Sequence, residues 1–286
     1  MEYNHSHHLR RIFVKTVRTW TMFVLVCSGC LCLRGQSLAS LTLSHDSTVK
    51  ITSQPANSSG SGFFIGGRTV ITCFHVISVL SHPRPEATHY EIDGDIQVTF
   101  PSGEMIRGDV VSLPTDQDSA PLQFDFAVIR LDHYPDKRAV KAVLANADEK
   151  PKLGDDVVFS GYPLATPGMV THRGMVSGMD DAQTLIFVEA PINRGNSGGA
   201  LIDSEGHVIG LISMKEGGIS PQLEGLRTYI KATAGSGQVR IMGVDPLQST
   251  NAIIDTLDQY ISTGIGYARS IRFARDYLEK HPEMMK

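Results

Sequence analysis

Three segments of the chain carry residues that could do chemistry together. Ile71-Thr72-Cys73-Phe74-His75-Val76 puts a histidine at the end of an apolar strand. Asp125-Phe126-Ala127-Val128-Ile129 puts an acid at the opening of another. Asn193-Arg194-Gly195-Asn196-Ser197-Gly198-Gly199-Ala200 sets a serine in a glycine-dense loop. Singly, each reads as ordinary turn and cap chemistry. Together, in the order His, Asp, Ser, they are the parts of an acyl-transfer device. A serine hydroxyl is a weak nucleophile until a base takes its proton, and imidazole titrates near neutrality. Asp125 would hold the tautomer of His75 and stabilise the imidazolium. Gly195 can adopt a backbone conformation closed to other residues, turning its N–H inward beside that of Ser197. Two such donors form an oxyanion hole, each worth roughly 3–4 kcal/mol of transition-state stabilisation. Gly198 and Gly199 would leave room for substrate backbone. Cys73 is a second nucleophile or redox switch on one reading. On the other it is a small buried apolar residue, and its place in an apolar strand favours that.

The elements that must position these groups are mostly strands. From residue 48, short runs rich in Val, Ile, Thr and Phe alternate with Gly, Pro, Asn and Asp clusters. They predict strands at 62–66, 69–74, 96–100, 105–112, 124–131, 156–160, 169–176, 184–190 and 208–214. Pro101-Ser102-Gly103 reads as a hairpin turn. Many short strands spaced by turns argue for a sandwich or barrels. Residues 139–155, with Asp148-Glu149-Lys150 and Pro151, read as a linker between two β halves. No helical period is expected before about residue 249. Beyond it, Ile253, Ile254, Leu257 and Ile261 predict a helix over 251–261, and Ile271, Ala274 and Leu278 another over 270–280.

The first 39 residues are a separate matter. Arg10, Arg11, Lys15 and Arg18 precede an apolar run from Trp20 to Leu33, and Ser37-Leu38-Ala39 supplies small residues before Ser40. Basic region, apolar run and small-residue junction make 1–39 an expected signal peptide, with 40–286 as the mature domain. An uncleaved N-terminal anchor is the alternative, and would be the chain's sole link to a membrane. Arg10-Arg11 also resembles a twin-arginine export motif, lacking its usual Ser or Thr. The segment holds the only tryptophan and three of the four cysteines, Cys27, Cys30 and Cys32. Cys73 is then the sole thiol of the remainder, which excludes a disulfide-stapled scaffold and a cysteine-rich zinc site. Apolar content of 41% and charged content of 20% fit a globular chain. Residues 1–39 hold five basic residues and one acid, so the whole chain's 26 and 30 become 21 and 29. A formal charge of −8 speaks against a nucleic-acid partner.

These motifs resemble the chymotrypsin-fold serine endopeptidases, and among them the HtrA/Deg type of bacterial periplasmic protease. Ser59-Gly60-Ser61-Gly62-Phe63-Phe64-Ile65 is similar to that family's strand before the histidine. Asp125-Phe126-Ala127-Val128, Gly161-Tyr162-Pro163 and Gly174-Met175-Val176-Ser177 follow its pattern. Residues 189–201 match its Asp-Ala-x-Ile-Asn-x-Gly-Asn-Ser-Gly-Gly-x-Leu, and Gly264-Ile265-Gly266-Tyr267-Ala268 its closing strand. The resemblance implies an all-β fold of two antiparallel six-stranded barrels, at about 45–145 and 150–269, with the triad at their junction and a C-terminal helix at 270–281. It implies no metal and no cofactor. It places Pro191, Ile192, Leu211, Ile212 and Ser213 around the primary substrate pocket, whose apolar walls would discriminate loosely. Only residues 270–286 follow the closing strand, too few for the family's PDZ domains. The stretch 215–263 exceeds the usual loop and is expected to form a hairpin, 227–232 with 238–242, plus the helix at 251–261, as a lid, a subunit contact or a plain surface insertion. Residues 40–59 hold no aromatic residue, so the family's trimerisation segment is not expected and oligomeric state stays open. The expectation is an exported enzyme, periplasmic or secreted, acting on polypeptides, unfolded ones in particular. The alternative is a catalytically silent peptide-binding scaffold.

Overall fold

Alternation along the short strands decides the architecture. In Ile96-Gln97-Val98-Thr99 the two aliphatic residues are buried while Gln97 and Thr99 are partly open to solvent. A sheet with one apolar face must cover it, and a six-stranded ribbon can do so by closing on itself. The computed structural model describes residues 38–53, 58–84, 87–92, 95–112, 124–164, 166–215, 221–233, 243–260 and 264–285. Residues 1–37, which hold most of the expected signal peptide, and 238–242 of the expected hairpin lie outside the described residues.

The N-terminal barrel comprises β1 (Thr48–Ser53), β2 (Ser58–Gly66), β3 (Thr69–Thr72), β6 (Ile96–Thr99), β7 (Met105–Ser112) and β8 (Ala127–Leu131), with a separate hairpin, β4 (Ser78–Arg84) and β5 (Ala87–Ile92), between β3 and β6. Its order is β1-β2-β3-β8-β7-β6, closed by antiparallel pairing of β1 with β6 at Lys50↔Thr99 and Ile51↔Val98. After a two-residue strand, β9 (Val143–Leu144), the C-terminal barrel comprises β10 (Asp156–Gly161), β11 (Val170–Met179), β12 (Leu185–Glu189), β13 (Ala200–Asp203), β14 (His207–Lys215) and β15 (Ile265–Ser270). It runs β13-β10-β11-β12-β15-β14 and closes through β13 on β14. Strand β9 adds a parallel edge to β14. The fold is therefore two closed antiparallel six-stranded barrels.

One core runs through both. Ile51, Phe63, Ile71 and Ile129 fill the first barrel, and Phe159, Ile186, Leu201 and Leu211 the second, all essentially without exposure. Each such side chain contributes about 1.5–3 kcal/mol relative to an exposed one. The segment expected as a linker is tied to both halves: the Ala142 N–H donates to Phe64 O (2.8 Å) and that of Ala145 to Val208 O (3.0 Å). The C-terminal helix spans Arg272–Lys280 and buries Ala274 and Leu278.

Three elements differ from expectation. A helix at 38–47 precedes β1, although its serines and threonine give it little intrinsic helix propensity. Tertiary bonds hold it: Ser40 Oγ donates to Ser204 O (3.3 Å), and Ser44 Oγ lies 2.8 Å from Ser160 Oγ. Residues 227–232, expected as a strand of the inserted hairpin, lie in a helix, Pro221–Thr233. The following helix starts earlier than expected and spans Pro246–Tyr260. The two pack through buried Ile230 and Ile254, with Arg227 paired to Asp255 (3.4 Å). Leu223, Arg227 and Ile230, the less exposed positions, follow a helical period that the β-branched residues of the run obscured, while Leu226 is exposed. No helix of the described residues is long and apolar enough to cross a membrane.

Candidate active site

His75 owes its position to its neighbours' burial. Strand β3 ends at Thr72 and Cys73 is extended, after which Phe74–Ile77 forms one helical turn. Phe74, Val76 and Ile77 are buried, leaving His75 as the residue turned outward. The histidine thus sits in this turn and not on the strand itself.

Asp125 is 2% exposed and precedes β8 by two residues, at φ 41°. That left-handed conformation costs a non-glycine residue roughly 1–2 kcal/mol. Its flanks offset the cost. The ring of Phe124 meets Phe273 edge-on at 4.8 Å, and Phe126 faces Tyr277 at 6.2 Å, so the C-terminal helix packs over both neighbours of the acid. The carboxylate accepts hydrogen bonds from the His75 backbone N–H (3.1 Å) and from His75 Nδ1 (3.0 and 2.9 Å to its two oxygens). Ser213 Oγ donates to Oδ2. An Nδ1 that faces a carboxylate carries the proton, which leaves Nε2 as a lone pair on the open side of the ring.

Ser197 precedes β13 in a loop built on glycines. Gly195 has φ 96°, and a Cβ there would lie 2.2 Å from Tyr162 O. The Arg194 carbonyl accepts from the Leu164 N–H (2.9 Å), so the trans peptide aims the Gly195 N–H the other way. Gly198, at φ 88°, would bring a Cβ to 2.1 Å from Ser61 O. The Ser197 hydroxyl donates to Ser213 O (2.9 Å). It rests there, and not on His75. The nucleophile-to-base bond of such sites commonly forms only in the substrate complex.

Ser213 therefore holds the acid with its hydroxyl and the serine with its carbonyl. It was expected at the substrate pocket, and this double role was not read from the sequence. Ser61 is a second residue whose part emerges only in three dimensions. It is fully buried in the N-terminal barrel, yet its N–H donates to Ser197 O (2.8 Å) and its Oγ to Gly195 O (2.7 Å), while it accepts from the Tyr162 N–H (2.9 Å). Thr72 Oγ1 donates to its carbonyl (2.6 Å). The fixed pattern Gly60-Ser61-Gly62, a polar residue between two glycines inside a strand, was the available signal.

Of the expected pocket residues, Pro191 is exposed, while Ile192, Leu211, Ile212 and Ser213 are sealed. Ile192 lies against Gly266, where a Cβ would come within 2.3 Å of its Cδ1. In this conformation the Ile192, Leu211 and Ile212 side chains belong to the core, and Ser213 turns its hydroxyl to Asp125. Among the described residues, two groups converge closely enough to share a cation: Cys73 with His75 and Asp125, and Glu149 with Glu205 and His207. Burial, with Asp125 close by, pushes the Cys73 thiol pKa well up, so it stays protonated.

Comparison with known proteins follows the same lines. The sequence profile of the trypsin-like peptidase domain matches residues 60–211. A putative protease Do-like 14 of Arabidopsis thaliana is 28% identical over 218 residues, 70% of this chain and 47% of the relative. A probable periplasmic serine endoprotease DegP-like of Rhizobium meliloti is 31% identical over 158 residues, 53% of this chain and 27% of its own. The chain thus spans less than half the length of these relatives. The crystal structure of a serine endoprotease from Yersinia pestis superposes with a TM-score of 0.53 at 19% identity, covering 86% of this chain and 65% of that one, a likeness of fold.

Proposed function

Since the chain belongs to the trypsin-like peptidase domain family, we propose that it is a serine endopeptidase in which Ser197 attacks the scissile carbonyl. His75 takes the hydroxyl proton at Nε2 and returns it to the leaving amine. Asp125 holds the ring and stabilises the imidazolium, and the N–H groups of Gly195 and Ser197 receive the developing oxyanion. The observation that carries this reading is the fixed geometry of His75 on Asp125 beneath Ser213. Turning Ser197 from the Ser213 carbonyl to Nε2 completes the device. Substrates are polypeptides, unfolded ones in particular. Pro191, Ile192, Leu211, Ile212 and Ser213 remain the candidate pocket, which would have to open for a small or medium aliphatic side chain. Residues 1–39 direct export, in keeping with relatives named as periplasmic.

A fluorophosphonate probe tests the mechanism. It should label the purified protein at Ser197, and Ser197→Ala should abolish both labelling and casein cleavage. The resting bond of Ser197 to Ser213 O favours one rival, a silent peptide-binding scaffold. Peptide binding without labelling, under conditions that label a related protease, would establish the rival instead.

A further inference from the structure

Cys73, His75 and Asp125 converge at the base of the site, and the mechanism above uses only two of them. We infer that these three side chains form a site for a divalent transition-metal ion such as Zn2+, and that the ion reversibly silences the enzyme. The inference rests on the proposed peptidase reading for its effect, but not for the binding itself.

The donor set suits such an ion. A thiolate, an imidazole and a carboxylate are the ligands zinc takes in proteins, with a fourth position left for water. One oxygen or nitrogen of each and the sulfur lie within 4.8 Å of one another. His75 Nδ1 is 2.9 Å from Asp125 Oδ2, and a tetrahedral ion with bonds near 2.0–2.1 Å would set that separation at roughly 3.3 Å. The sulfur must close by little more than about 1 Å. Cys73 is fully buried and Asp125 is 2% exposed, so two ligands are already withdrawn from competing water. Ser213 Oγ, bound to the same carboxylate, is the outer support that metal ligands ordinarily have. The thiol donates a long bond to Ile212 O, 3.3 Å, and lies within hydrogen-bonding reach of the Asp125 carboxylate it would share an ion with.

Charge balances as well. Without an ion, a Cys73 thiolate would sit beside the Asp125 carboxylate, two buried negative charges. With M2+ bound, thiolate and carboxylate cancel its charge and the buried cluster is neutral. The thiol proton leaves to solvent as the metal–sulfur bond forms, and nothing is oxidised or reduced.

Inhibition follows from the tautomer. A metal on Nδ1 takes the lone pair of that nitrogen and moves its proton to Nε2. Nε2 then donates and cannot accept the Ser197 proton. A wrong tautomer costs on the order of 10^4 in turnover in a triad of this kind.

Cobalt reports the site directly. Titrating the purified full chain with Co2+, in a background of Cys27→Ser, Cys30→Ser and Cys32→Ser that leaves Cys73 as its one thiol, should give a thiolate-to-cobalt charge-transfer band that saturates at one equivalent. The band should vanish in Cys73→Ala and Cys73→Ser, both checked for fold by circular dichroism, and persist in His207→Ala. Zn2+ should suppress peptide turnover and EDTA restore it, whereas the ratio of rates with and without Zn2+ should approach one within either Cys73 variant. A band that survives in both Cys73 variants, or is lost in His207→Ala, places the ion elsewhere and overturns the inference. So does equal Zn2+ inhibition of wild type and variants. Because the cobalt band needs no turnover, a protein that binds Co2+ through Cys73 yet never cleaves peptide would sink the proposed activity and leave the metal site standing.

Discussion

The two barrels share a topology and contribute to the site in different ways. The N-terminal barrel delivers side chains. His75 and Asp125 come from the turn after β3 and the entry to β8, and every bond they need for mutual alignment lies within that barrel except the one from Ser213. The C-terminal barrel delivers backbone. Beyond the Ser197 hydroxyl itself, Gly195, Ser197 and Gly198 matter there for where their N–H and C=O groups point, and positive φ at two glycines sets that direction. A side chain can be moved by rotating a bond, so the first barrel's parts need burial and hydrogen bonds to fix them. Backbone groups are fixed by the chain itself, so the second barrel needs glycine and a clamp. Ser61 is the clamp, a residue of the first barrel bonded to the nucleophile loop of the second.

The division predicts a hierarchy of effects. The largest tests whether the barrels act as one device. His75→Ala and Ser197→Ala should each lower kcat by on the order of 10^6, and the double variant should be no worse than either single one. Losses that multiply in steady-state kinetics would mean that the two barrels act independently.

A smaller pair separates side-chain from backbone contributions. Asp125→Asn should cost about 10^4 through the wrong imidazole tautomer. Gly195→Ala should cost about 10^2–10^3 in kcat by displacing one oxyanion donor, because the added Cβ meets a main-chain oxygen at 2.2 Å that cannot yield cheaply. The comparison breaks if the order of these two kcat values is reversed.

Ser61→Ala should act on both stability and rate. It leaves the Tyr162 N–H and the Gly195 carbonyl without their buried partner, a loss of about 1–3 kcal/mol, readable as a drop in urea midpoint. A Ser61→Ala variant with normal stability and normal kcat would remove the clamp from the account.

The smallest effect concerns a turn away from the site. Asp180, between β11 and β12, is opposed in ionising by its burial. The N–H groups of Leu185 and Thr184 and the Thr184 hydroxyl outweigh this and hold its pKa below the ordinary 3.8. A folded value below the unfolded one gives stability that is present above the unfolded pKa and lost as pH falls through the depressed folded value. Asp180→Asn should flatten the acid limb of a stability-against-pH curve below about pH 4 while leaving catalysis unchanged.

Residue chemistry, strand alternation and glycine placement were legible along the chain because each is a local property. Strand β7 was readable to the residue, since hydrophobic alternation and the Pro101-Ser102-Gly103 turn bound it on one side. The helix at 38–47 was not, because its stability comes from Ser204 and Ser160, more than a hundred residues away. The helix at Pro221–Thr233 was missed for another reason: its β-branched residues read as strand until packing against Ile254 chose the helical face.

By itself the sequence determined the chemical identities and their order: an imidazole, a carboxylate, a hydroxyl and a glycine that can invert its peptide, on a frame of alternating strands. Only the tertiary structure decided which atoms meet. His75 and Asp125 lie 50 positions apart, Asp125 and Ser213 lie 88, and Ser61 reaches Gly195 across 134. The first depends on the N-terminal barrel closing and the other two on the barrels packing against each other, events that no local pattern encodes. Closure of the first barrel also brings Asp125 to the thiol beside the histidine, turning a cysteine that reads as strand filler into a third ligand.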